Sequence, residues 1–245
     1  MTVTITPRFR GPDSSANGGV TCGLLAAHVD RTPGDNGIEV TLRRPPPLGA
    51  ALSITVVDDG AGATMRDGNG ELVAEAKRVP FDMTVLPPPA LDQIDAASVL
   101  DGYALTHPFP GCFVCGPDRA RDDGLRLFPR FIDEGLSPRV ASRWNPPPDM
   151  VDDAGHVVAE VVWGALDCPS VFAYLNGDEH APYVLGRITA ELVAPCPSSA
   201  DDEPLVVTGW QAGPRQGRKL FGGSAVFAGR RLIARARATW IELGS

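Results

Sequence analysis

One carboxylate, Asp167, lies deep inside an apolar run, Val157-Val158-Ala159-Glu160-Val161-Val162-Trp163-Gly164-Ala165-Leu166-Asp167-Cys168-Pro169. On helical geometry Trp163, Asp167, Ser170 and Tyr174 share one face, and Val161, Ala165, Cys168 and Phe172 the opposite one. A carboxylate in such company must be hydrogen-bonded, neutralised or functional, because an unpaired buried charge is costly. The plain alternative is an Asp that caps or pins a neighbouring loop. A second stretch with chemical capacity is Asn17-Gly18-Gly19, which precedes the small apolar run Val20-Thr21-Cys22-Gly23-Leu24-Leu25-Ala26-Ala27-His28. Asn17 is a good N-cap, and the two glycines leave backbone N–H groups uncovered at the start of a buried helix.

The elements that must position these residues follow from alternation and breakers. Residues 3–9 read as a short strand, followed by a loop into the first helix. Ile38–Arg43, Ala51–Val57 and Leu72–Arg78 read as strands, separated by Arg44-Pro45-Pro46-Pro47-Leu48-Gly49 and by the Asp/Gly-rich run 58–70. Residues 86–106, with Pro87-Pro88-Pro89, read as a surface linker. Beyond His107-Pro108-Phe109-Pro110-Gly111-Cys112-Phe113-Val114-Cys115-Gly116 come strand candidates Gly124–Pro129 and Arg139–Trp144. The Asp167 helix is next, and Pro169 is expected to kink it by removing a backbone bond. Strands at Gly186–Ala194, Pro204–Ala212, Lys219–Ala228 and Arg231–Glu242 complete the chain, the last two joined at Gly229-Arg230.

The two halves repeat each other. Ile38–Pro45 matches Ile188–Pro195 in its Ile, Leu and Pro; Leu72–Ala76 matches Leu232–Ala236; Gly23–Ala26 matches Gly164–Asp167. Their common order points to duplication. Each half then supplies one helix and an antiparallel sheet of about five strands, an α+β organisation. The expected division is a first half over 1–90, a linker over 91–106 and a second half over 107–245.

One buried helix opened by Asn-Gly-Gly and followed by antiparallel strands resembles the hot-dog fold of acyl-CoA thioesterases. Duplicated in one chain, it resembles the double hot-dog: two antiparallel sheets, each wrapping a central helix. Cys112-Phe113-Val114-Cys115-Gly116 followed by Gly124-Leu125-Arg126-Leu127-Phe128 is similar to the opening of phenylacetyl-CoA-type members. The resemblance implies hydrolysis of a thioester in a tunnel between paired helices. In that family the helix begins His-Gly-Gly, with an Asp or Glu nine residues after the His. Here the first half has Asn17-Gly18-Gly19 but Ala26 at the carboxylate position; the second has Asp167 but Val158-Ala159-Glu160 at the glycine position. Nine helical residues span about 13–14 Å, too far for both groups to act on one carbonyl. The surviving site is therefore expected to be composite, with Asn17-Gly18-Gly19 from one helix facing Asp167 from the other and the pseudo-symmetric site dead. By this resemblance Gly18 or Gly19 amides would bind the thioester oxygen, with glycine there so that the acyl group can approach closely. Asp167 would act as general base or as nucleophile, and Ser170 would orient a water. Trp163 is assigned to the substrate, and Arg43, Arg44 and Arg126 (with Arg119 and Arg121 nearby) to CoA phosphates. The alternative is a non-catalytic acyl-CoA or fatty-acyl binding protein.

Other classes fit the sequence less well. The net charge of −8 over 245 residues argues against nucleic acid or an anionic membrane as partner. No apolar run reaches a membrane span, and Met1–Thr6 alternates like a strand rather than a signal peptide. Five cysteines without tight spacing suggest reduced thiols and a cytoplasmic location. Cys112-x-x-Cys115 lacks a second pair, so no metal and no cofactor is expected, and the pair reads as small residues in a tight turn. Cys22 and Cys168 read as buried small hydrophobes. No G-x-S-x-G elbow is present, Gly60-Ala61-Gly62 reads as a hairpin turn, and the hot-dog dehydratases need a His that the corresponding helix lacks. A homodimer is compatible with the sequence and not specified by it.

Overall fold

The computed structural model describes residues 1–31, 36–97, 107–133, 138–175, 181–198 and 204–244. The first half forms β1 (Thr2–Thr4), α1 (Gly18–Ala26), β2 (Gly37–Leu42), β3 (Ala51–Val57), β4 (Gly62–Arg66) and β5 (Leu72–Val79). After α2 (Leu91–Ala96) the second half forms β6 (Arg130–Asp133), β7 (Arg139–Trp144), α3 (Ala159–Asp167), α4 (Pro169–Phe172), β8 (Tyr183–Leu192), β9 (Leu205–Gln216), β10 (Lys219–Ala228) and β11 (Arg231–Glu242).

The expectation of two sheets is corrected. All eleven strands among the described residues belong to one antiparallel sheet, ordered β1-β3-β4-β5-β2-β8-β11-β10-β9-β7-β6. The join is β2 against β8, with Ile38 opposite Ala190, Glu39 opposite Thr189 and Val40 opposite Ile188. These are the two strands whose sequences match, and they pair about the Glu39–Thr189 position as a pseudo-two-fold would require. Fusing the sheets has a physical reason. Each half alone would leave β2 or β8 as an open edge with unpaired N–H and C=O groups, and pairing the two edges satisfies both.

Two further readings change. The Asp/Gly-rich run 58–70 contains β4, which pairs with β3 and β5; alternating Ala63 and Met65 are fully buried, but flanking Gly and Asp mask that pattern in sequence. Gly124–Pro129 is no sheet strand, and Arg126 within it stands at a positive φ of 50°. Its amides bond inward to the Cys112–Gly116 turn, Leu125 to the Phe113 carbonyl at 2.8 Å and Leu127 to that of Val114 at 2.9 Å. Sheet pairing starts only at Arg130. The N-terminal strand is shorter than read, ending at Thr4 before a 3-10 turn at Pro7–Phe9. In the linker, Leu91–Ala96 makes a helical turn whose Ile94 packs with Ala141 and Val206; 98–106 lie outside the described residues.

α1 and α3 lie against each other in an antiparallel pair, and glycines set their separation. A Cβ on Gly19 would sit 2.6 Å from both the Asp167 Cβ and the Trp163 carbonyl oxygen, and one on Gly23 would sit 2.5 Å from the Glu160 Cα. Gly164 faces Val20 from the other side. With seven of its nine residues buried, α1 is apolar nearly all round, as a helix enclosed between a sheet and another helix must be. At Pro169 the helix is interrupted: α3 ends at Asp167, Cys168 bridges with helical dihedrals, and α4 begins at the proline.

Candidate active site

The antiparallel helix pair puts the first turn of α1 beside the last turn of α3. The Gly19 amide donates to Asp167 Oδ2 at 2.9 Å, and the Asn17 side-chain amide donates to the same oxygen at 3.0 Å. Asn17 is held in turn: its Oδ1 accepts the Val20 amide at 3.0 Å as the helix N-cap, and its backbone N–H reaches the Phe9 carbonyl at 2.7 Å. One residue thus caps its own helix and clamps a carboxylate 150 positions away. The other carboxylate oxygen, Oδ1, is buried and has no hydrogen-bond partner among the described residues. Burial pushes the Asp167 carboxyl up to about 7; the Gly19 amide opposes that shift, a negative charge at Cys112 adds to it, and the Asn17 amide opposes it again.

Asp167 lines a cavity of about 460 Å³ whose walls are mainly apolar, including Phe109, Phe172, Leu175, Leu185 and Trp240. Gly18 lines it too, and the Gly18 amide enters no hydrogen bond among the described residues. Gly19 has a different part from the one expected. Its N–H is committed to Asp167, and its lack of a side chain lets the helices meet rather than an acyl group enter.

The other expected site residues separate into two groups. Arg43 and Arg44 do line the cavity, where they pair with Glu75 and Glu71 respectively. Ser170, Trp163 and Arg126 are not among its lining residues. Ser170 is fully buried; its hydroxyl donates to the Asp167 carbonyl at 2.9 Å and accepts the Trp240 indole N–H at 2.7 Å, so its proton is spent on backbone rather than water. Trp163 is buried in the seam between the helices, its Cβ against Gly23. The Arg126 guanidinium bonds the Arg119 carbonyl and stacks 5.0 Å over Phe128. Arg119 is itself buried, donating to the carbonyls of Gly111 (2.8 Å) and Arg8 (2.7 Å) and to Asp123 (2.8 Å). It ties down the Cys112–Gly116 turn.

Two features of the cavity wall were not assigned to the site from the sequence, although His107 stands out there as the one neighbour of the Cys112-x-x-Cys115 pair. His107 lines it, and its Nδ1 accepts the Phe109 amide at 3.0 Å, which places the proton of the neutral ring on Nε2; burial lowers its pKa and favours that neutral form. Cys168 joins Cys112 and Cys115 on the same wall. The Cys112-x-x-Cys115 spacing was legible, but nothing in the sequence announces that residue 168 meets it.

No protein-family model matches the chain, nor does any curated protein sequence. Solved structures do. A conserved protein of Alicyclobacillus acidocaldarius described as having a hot-dog fold superposes at a TM-score of 0.62 with 15% identity, covering 100% of this chain and 93% of that one. This is a hot-dog fold. An acyl-CoA thioesterase II, TesB2, from Mycobacterium marinum has a TM-score of 0.57 at 12% identity over 100% and 93% of the two chains. A trans-AT PKS dehydratase domain from Brevibacillus brevis has 0.61 at 12% over 100% and 93%. At such identities the hot-dog likeness speaks to architecture. In all of them the match spans both halves. No helix among the described residues of this hot-dog chain is long and apolar enough to cross a membrane.

Proposed function

We propose that the protein hydrolyses a thioester, of the acyl-CoA type, at one composite site between α1 and α3. The observation that carries this reading is the division of labour on Asp167. Oδ2 is fixed by two N–H donors from the other half of the chain, while Oδ1 is left without a protein partner on the residue that lines the apolar cavity. A carboxylate serving only to pin the helices would have both oxygens engaged.

In this reading the acyl group fills the apolar cavity. The thioester oxygen faces the Gly18 amide, helped by the positive end of α1. Asp167 Oδ1 takes a proton from a water, which attacks the thioester carbon; the tetrahedral intermediate then expels the thiolate, which recovers the proton from Asp167. Arg43 and Arg44 stand where the phosphates of a CoA tail would leave the cavity. Their present partners are half-exposed carboxylates, and surface pairs of that kind are worth little, so a phosphate can replace them at small cost. The pseudo-symmetric position has Ala26 in place of the carboxylate and Glu160 in place of Gly19, so it has neither part. Among the structural neighbours, the TesB2 protein named as an acyl-CoA thioesterase lends support.

The test is release of free thiol from a panel of acyl-CoAs by the wild-type chain and by Asp167→Asn. Release by the wild type and its loss in the variant are expected. Thermal stabilisation by acyl-CoAs without turnover would instead identify a binding protein. Conversion of a 3-hydroxyacyl thioester without free thiol would identify a dehydratase. Equal release by wild type and variant would remove Asp167 from the chemistry.

A further inference from the structure

We propose that Cys112, Cys115 and Cys168 form a three-thiolate site for a zinc-class ion, with its fourth position open to the cavity. The three sulfurs all lie within 4.8 Å of one another, and those of Cys112 and Cys168 are 4.0 Å apart. Zinc bound tetrahedrally at a Zn–S distance of about 2.3 Å holds its sulfurs about 3.8 Å apart. The observed triangle needs to contract by no more than about 1 Å to meet that geometry. Soft sulfur donors select zinc over magnesium or calcium, which prefer oxygen.

A side-chain N–H donor already faces the cluster. The Asn17 side-chain amide approaches the Cys112 sulfur at 3.9 Å. N–H groups aimed at a ligating sulfur are the outer-shell contacts that metal thiolates require. The turn is built to hold that arrangement. Gly116 donates to the Cys112 carbonyl at 2.9 Å, and a Cβ at Gly116 would come within 2.4–2.5 Å of the Pro110 carbonyl and the Cys112 backbone. Any other residue would open the loop. The third thiol comes from Cys168, the residue that bridges α3 and α4, whose sulfur lies beside the turn.

Structural zinc sites are closed by a fourth protein ligand, whereas sites with three protein ligands keep a position for water or a ligand. All three cysteines line the cavity, so the open position faces it. Binding releases the protons still held by the three sulfurs to solvent and leaves an ion–trithiolate unit of net charge −1, faced by the Asn17 side-chain amide. This inference stands apart from the thioesterase reading, and its readouts involve no turnover.

The full-length protein, purified from zinc-supplied medium under reducing conditions, is expected to carry one zinc per chain by elemental analysis. After chelation, Co²⁺ alone should restore a sulfur-to-cobalt charge-transfer absorption that saturates at one equivalent. Cys115→Ser should weaken Co²⁺ binding on the order of 100-fold or more, since even loss of an outer-shell contact costs 10–100-fold. If the serine variant fails to fold, the wild-type cobalt spectrum and the thiol count decide: three thiols should become reactive only after chelation. Absence of the charge-transfer band overturns the proposal, as does its survival when all three cysteines are replaced, or a Cys112–Cys168 disulfide in the reduced, metal-supplied protein.

Discussion

Gly19→Ala tests whether the helix seam and the site are one device. Elsewhere in a helix this substitution stabilises, by about 1 kcal/mol, because alanine loses less backbone freedom. Here the added methyl would sit 2.6 Å from the Asp167 Cβ and 2.6 Å from the Trp163 carbonyl oxygen. One of these is backbone, so no rotamer change relieves the clash and α1 must separate from α3. Overpacking of this kind costs about 1–3 kcal/mol. Separation also breaks the Gly19 N–H bond to Asp167 Oδ2, and a bond to a charged group is worth about 1.5–3 kcal/mol. We expect a net loss of about 2–4 kcal/mol, read as a drop of roughly 5–15 °C in melting temperature for a chain of this size. Thiol release should fall with it, because the carboxylate loses one of the two donors that orient it. Gly68→Ala is the control, since nothing lies within 4 Å of a Cβ there. A Gly19→Ala protein as stable as wild type would refute the claim that Asp167 is pressed against this glycine.

Three further outcomes follow from the same geometry. Asp167→Asn should fold with stability within about 1 kcal/mol of wild type while losing about 100-fold or more in turnover, because an amide oxygen still accepts the Gly19 and Asn17 N–H bonds but cannot accept a water proton in the transition state. Chemical denaturation and thiol release measured on one preparation separate the two. Ser170→Ala leaves the buried Trp240 indole N–H unpaired and should cost about 1–3 kcal/mol; kcat should fall while KM holds, since Ser170 acts through the Asp167 carbonyl and touches no cavity space. Arg119→Met should lower the urea midpoint by the equivalent of about 2–4 kcal/mol, because it strips charge-assisted bonds from the Arg8 and Gly111 carbonyls. Stability unchanged by that substitution would mean the turn is held by packing alone.

Most of the fold was legible because local pattern and tertiary role agree. The alternation in Ala51–Val57 and Arg231–Glu242 marks strands buried mainly on one face, Lys219–Ala228 is buried on both, and all three boundaries coincide with the observed ones. Where local pattern is masked, reading failed: β4 hides among Gly and Asp, and Gly124–Pro129 looks like a strand while spending its amides on a turn. Asp167 and Asn17-Gly18-Gly19 were marked as chemically able by residue type, and the repeat suggested that each half lacked what the other kept.

What these residues do was decided by proximity, which one-dimensional spacing does not contain. The sequence by itself determined that a carboxylate would sit at the end of a buried helix and that a glycine pair would open another. Only the antiparallel packing of α1 on α3 decided that Gly19 would be spent on Asp167 and that Gly18 would be the amide left over. The same packing, with the break at Pro169, brought Cys168 to the Cys112–Cys115 turn and took Ser170 and Trp163 off the cavity. Periodicity reports which face of an element is buried. Contacts between elements more than a hundred residues apart depend on how those faces dock, and that is set by side-chain volume and glycine gaps summed over the whole core.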